Sequence, residues 1–183
     1  MVKHALLGIA AFSMGLLVGC GGGDTGGSTD ETQLSPTSSA DDIEAWLAAG
    51  HYKQWSCEDP EHDARSPSPH GVNRICSNDV LSTHGDGEFP VDSVGVKELW
   101  DAIGGKVIGY AVYRHTKAGT TGDTWHWYER VPLDSAAPHD DKGVVAFGLG
   151  ASGAAKDICV GCHQAAGSDM DHGGHDFVYT QVK

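Results

Sequence analysis

Positive charge is scarce in this chain. Lysines and arginines number 12 against 25 acids, for a formal charge of −13 with histidine neutral. That shortage excludes a nucleic-acid groove or an anionic-lipid face built from basic side chains. A long apolar run is also missing. The stretch that comes nearest, Ala5 to Val18 behind Lys3, falls short of the ~20 residues of a membrane-spanning helix and has the proportions of a secretory leader. Internal repeats are absent, so solenoids and propellers are set aside.

Cysteines are few, and each has a reading. Leu17-Val18-Gly19-Cys20 resembles a bacterial lipobox, in which the cysteine is acylated and heads the mature chain. The alternatives are an ordinary signal peptide with a chance cysteine, or an uncleaved anchor. Small residues before Cys20 and a polar tract directly after it favour the lipoprotein. On this reading residues 1–19 are the leader and residues 20–39, "CGGGDTGGSTDETQLSPTSS", a flexible tether with a reach of roughly 25 Å. Residues 40–183 then form one domain. The expected location is the periplasmic face of a membrane or the cell surface, with membrane attachment through the lipid alone. In an exported chain Cys57 and Cys76 are expected to pair as a disulfide.

The remaining cysteines stand in "DICVGCHQ", Asp157 to Gln164. Cys159-Val160-Gly161-Cys162-His163 is a C-x-x-C-H signature of c-type haem attachment. Two thiols three residues apart on one helical turn reach the two vinyl groups, and the adjacent histidine reaches the iron. A thioredoxin-like redox pair needs no trailing histidine, and a zinc knuckle needs a second paired cluster that Cys57 and Cys76 do not supply. One motif implies one haem c. The ligand opposite His163 is left open among His51, His62, His70, His84, His115, His126, His139, His172, His175 and Met170. A sixth protein ligand implies electron transfer; an open position implies ligand binding or catalysis. The tail "DMDHGGHD" reads as a polar loop or, less well, as a divalent-metal site.

Between tether and motif, "SADDIEAWLAAGHY" predicts a helix capped by Ser39, with Ile43, Trp46 and Leu47 on its apolar stripe and a stop near Gly50. Strands are predicted in "VNRICSNDVL", "SVGVKELW", "KVIGYAVYRHT" and "DTWHWYERVP", with a last short one in "DFVYTQV". In the fourth, Trp125, Trp127 and Glu129 share a face. A glycine-rich loop is expected before the motif, and a helix capped by Ser152 and stopped at Gly167 around it. The class is α+β, a mostly antiparallel sheet with an N-terminal helix and a C-terminal helix carrying the haem motif.

In "SVGVKELW", Val94 and Val96 point one way while Gly95, Lys97 and Leu99 point the other. Taken alone, Lys97 reads as the protective lysine of an exposed edge strand. Beside a haem motif, Gly95 reads as the place where a flat cofactor approaches the strand, and Lys97 as an amine facing it in preference to that edge lysine.

The ordered segments "GVNRICSND", "GEFPVDSVGVKEL", "TWHWY", "CVGCH" and "DFVYT" make residues 40–180 resemble the cytochrome P-460 family, which includes the beta-sheet cytochromes c-prime. The resemblance implies a single haem c lying against an antiparallel sheet, with His163 proximal and no protein ligand opposite. It implies that Lys97 matches the lysine bonded to the macrocycle in the members that oxidise hydroxylamine. The c-prime members lack that bond and bind nitric oxide. It further implies Arg74 as a distal-pocket residue and Asp157 as the nearest match to the proton-relay acid. Cys76, in the strand of Arg74, departs from the family pattern. The expected partners are a small nitrogen ligand, an electron-transfer protein and a second copy of the chain in a homodimer. Nucleic acid is not among them.

Overall fold

A computed structural model describes residues 33–183. The expected leader, Cys20 and most of the expected tether lie outside the described residues. Among the described residues no helix is long and apolar enough to cross a membrane.

Helix α1, Ala40–Ala49, follows the sequence rules closely. The Ser39 hydroxyl accepts from Asp42 N at its start, and Gly50, left-handed at φ 73°, closes it by donating to Leu47 O. Ile43, Trp46 and Leu47 are buried. The chain then runs through β1 (Ser56–Cys57), β2 (Asn73–Ser77), a helical turn α2 (Asp79–Ser82), β3 (Val94–Trp100), β4 (Val107–His115), β5 (Trp125–Arg130) and β6 (Val144–Leu149). These form one six-stranded antiparallel sheet in sequential order, so the fold is mixed α+β.

Several expected boundaries change. Val144–Leu149, read as glycine-rich loop, is a strand: the β-branched and apolar core of "VVAFGL" pairs with β5, and the glycines around it only mark its turns. Strand β2 ends at Ser77 because the Asn78 side chain accepts from Leu81 N and Val94 N, starting α2 and pinning it to β3. "DFVYTQV" does not form a strand; a single bridge joins His175 and Val178, and the chain there turns instead of extending. The tether stops short of its expected end at residue 39. Leu34 packs against the α1 core, and the carbonyls of Gln33 and Ser35 accept from Asn78 and Arg114.

The sheet's two faces bury different things. On one, α1 and the turn His51–Gln54 cover Cys76, Val94, Val96, Val112 and Tyr128. Cys57 and Cys76 face each other across β1 and β2 and are disulfide-bonded. On the other face Tyr113, Trp125, Trp127 and Ala146 meet the C-terminal helical segment through Ala155 and Cys159.

Candidate functional site

The strand registers place Ile75 opposite Lys97, Lys97 opposite Ala111, and Ala111 opposite Glu129. All four therefore lie in one row on the second face, with the small Ala111 between an amine and a carboxylate. Above this row opens a cavity of ≈ 410 Å³, within the usual range for cofactor sites. Lys97, Trp127, Glu129, Cys159, Cys162 and His163 are on its walls. A smaller cavity of ≈ 160 Å³ shares Lys97, Cys162 and His163 and runs under the loop from Arg65 to Pro69.

The motif segment is a π-helical stretch, Ala155–Val160, continued by an α-helical turn, Gly161–His163. No side chain caps it, so the expected Ser152 cap does not form. It docks through Val160, whose methyls would stand 2.4 Å from a Cβ at Gly122. Glycine there lets the segment settle on the start of β5, bringing Cys159 and His163 to the sheet.

His163 is oriented by the tail. Its Nδ1 donates to the Phe177 carbonyl at 2.7 Å, which fixes the tautomer and leaves the Nε2 lone pair for a ligand bond. Asp176 and Phe177 adopt positive φ values of 42° and 67° to present that carbonyl, a conformation such residues hold only where the surroundings impose it. Those surroundings include Phe89 N, which donates to Asp176 Oδ2, and Tyr179 Oη, which donates to Cys162 O. Burial pushes the His163 imidazole down to about 4, so the ring is neutral at neutral pH.

Burial likewise pushes the Lys97 amine down to about 8, against the opposing pull of Glu129 and Glu58. None of the ion pairs among the described residues includes Lys97. At neutral pH most of this amine is still protonated, so Lys97 turns a charge toward the cavity and frees its lone pair only as pH rises through about 8. Burial raises the Cys159 thiol to about 12, the opposite of what a redox dithiol requires.

Three expectations about this site need correction. Arg74 does not line the cavity. It pairs in register with Glu98 on the α1 face, where its Nε donates to Glu98 Oε2 at 2.8 Å. Adjacent strand residues point to opposite faces, so it is Ile75 that looks toward Lys97. Asp157 is exposed on the outer side of the helical segment and borders neither cavity. Gly95 makes room for Tyr113 instead of a cofactor, since a Cβ there would meet that ring at 2.2 Å.

Glu129 and His70 are what the acid–base expectation missed. Glu129's position beside Trp125 and Trp127 on one face was readable from alternation; its facing Lys97 needed the register. His70 Nδ1 stands 3.3 Å from Glu129 Oε1, both side chains nearly buried. Among the described residues, His70 is the only histidine besides His163 that lines either cavity. His115 stacks on Trp125, His126 lies on the opposite face, and Met170 is wholly exposed. In the tail His172 Nδ1 pairs with Asp169 Oδ1, and among the described residues no group of three or more His, Cys, Asp or Glu side chains is placed to hold a metal ion.

The chain matches no protein-family model, no curated protein and no solved structure.

Proposed function

We propose that this chain is an exported, lipid-anchored mono-haem c-type cytochrome whose open coordination position binds or oxidises small nitrogen species such as hydroxylamine and nitric oxide. One observation carries the reading: the two thiols of the C-x-x-C-H motif, an oriented His163 and the Lys97 amine line the same cavity. The donor set suits haem c, with Cys159 and Cys162 as thioether sites and His163 Nε2 as the iron ligand. When bound, haem supplies an iron centre that takes up a nitrogen ligand and passes electrons to an acceptor protein. The chain's own residues do the rest. Tyr113 and Trp127 wall the site with apolar surface and keep water from it. Glu129, the carboxylate on the cavity wall, is where the released proton would finally rest, in place of Asp157. Lys97, on the same cavity wall, would offer its amine to the macrocycle, where a bond or a close charge would alter the cofactor's electronics. Cys20, outside the described residues, carries the lipid in this reading.

A second reading, an electron-transfer cytochrome with a six-coordinate iron, is favoured only by the presence of His70 in the cavity. The holoprotein's ferric spectrum separates the two. A high-spin spectrum that changes on adding nitric oxide or hydroxylamine is expected; a low-spin spectrum unmoved by both removes the first reading. Mass spectrometry of the digested holoprotein should find haem on the peptide of Cys159 and Cys162. Haem joined also to the Lys97 peptide would mark the cross-linked type.

A further inference from the structure

We infer that His70, held by Glu129, is the proton acceptor for a nitrogen ligand that carries hydrogen, and so selects hydroxylamine-class ligands over nitric oxide. The inference rests on the haem reading above. Glu129, one step across the sheet from Ala111 and two from Lys97, fixes where the imidazole sits. His70 Nδ1 stands 3.3 Å from Glu129 Oε1, an ion-pair distance without hydrogen-bond geometry, and because a carboxylate offers only lone pairs this neighbour favours the tautomer with its proton on Nδ1. In the neutral ring this leaves Nε2 as an acceptor.

The loop around His70 restrains it. Pro67 and Pro69 stiffen the approach, and the backbone N–H of His70 donates to Ser68 Oγ at 3.4 Å. His70 lines both the main cavity and the one beneath its own loop, so it stands where the two adjoin. With haem and ligand in place, an imidazole there would take a proton from a bound O–H or N–H group at Nε2, and its Nδ1 proton would pass to Glu129 Oε1, its 3.3 Å neighbour. Proton count is conserved at each atom, and the carboxylate ends the step protonated. Nitric oxide has no hydrogen to give and gains nothing from the same acceptor.

The test uses purified holoprotein with haem content verified by mass. Hydroxylamine and nitric oxide affinities are measured by anaerobic spectral titration of wild type, His70→Leu, His70→Gln and Glu129→Gln. In His70→Leu, hydroxylamine should bind about tenfold more weakly, the worth of one net hydrogen bond, with nitric oxide unchanged within about twofold. His70→Gln, whose amide oxygen still accepts, should recover part of the loss. Glu129→Gln, which holds Nδ1 without the charge, should fall between. Equal weakening of both ligands in His70→Leu would overturn the inference, because it would mean that His70 only shapes the cavity. Unchanged hydroxylamine affinity would overturn it too. So would a wild-type low-spin spectrum that turns high-spin in His70→Leu, which would make His70 an iron ligand. Absence of covalent haem in the wild type would instead fail the haem reading itself.

Discussion

Single residues on the two faces of the sheet carry opposite obligations. Glu98 is 1% exposed and survives there because Tyr52 Oη and the Arg74 guanidinium both donate to its carboxylate. Removing Arg74 leaves a buried charge half satisfied, the costly way to break such a pair. Arg74→Leu should therefore lower unfolding stability by about 3 kcal/mol in urea titrations, while, on the haem proposal, the haem spectrum and ligand affinities stay as in wild type. A distal-pocket role for Arg74 would show the reverse pattern. His126, buried on the α1 side of β5, supplies the pH dependence. Burial, with the Arg114 charge behind it, pushes its imidazole from 6.5 down to about 4. The unfolded chain thus takes up this proton first as pH falls, and stability drops between pH 6.5 and 4. Above 6.5 the ring is neutral in both states and contributes no slope. Stability curves for His126→Gln should lose that part of the acid-side decline.

At the level of elements, the strand around Lys97 is the most constrained. β3 lies between β2 and β4 and presents Val94 and Val96 to the α1 core while Lys97 looks into the cavity. Tyr113 fills the space above Gly95 and also meets Trp125 edge-on and Trp127 and His163 at a tilt. A rigid aromatic ring cannot yield as a long aliphatic chain would. Gly95→Ala should cost about 1–3 kcal/mol and shift the near-ultraviolet circular dichroism of the aromatic cluster, an overpacking effect. Unaltered stability would mean that the ring moves freely and does not form the cavity wall. The helix α1 and the middle strands were readable because periodicity and capping are local. Strand β6 and the loss of "DFVYTQV" were not. Whether a short apolar run pairs depends on a neighbouring edge that only the assembled sheet provides.

For the molecule as a whole, the two cores on opposite sides of one sheet have separable tasks. The α1 side, with the disulfide and the Glu98 network, does not involve the motif residues. On the haem proposal, a Cys159→Ser, Cys162→Ser double variant should accordingly keep the far-ultraviolet signature of the sheet and carry no covalent haem. Its thermal midpoint should fall, because a ligand bound only by the folded state adds stability by mass action. Collapse of the sheet signal in that variant would show that the cofactor is required to fold the domain.

The linear chain alone set out the local features: a C-x-x-C-H motif, a short apolar run behind Lys3, a shortage of basic charge, and a lysine out of phase with two valines. These are covalent or nearest-neighbour properties and need no partner to be read. Which acid and which histidine join the motif was decided by folding. Lys97, Ala111 and Glu129 come from three strands and meet only through hydrogen-bond register. A shift of one residue in that register would turn Glu98 inward and Lys97 out. His70 arrives from a loop, and Phe177 from the tail, to hold groups far from them in sequence. For the same reason Arg74, one residue from the cavity wall, belongs to the opposite face.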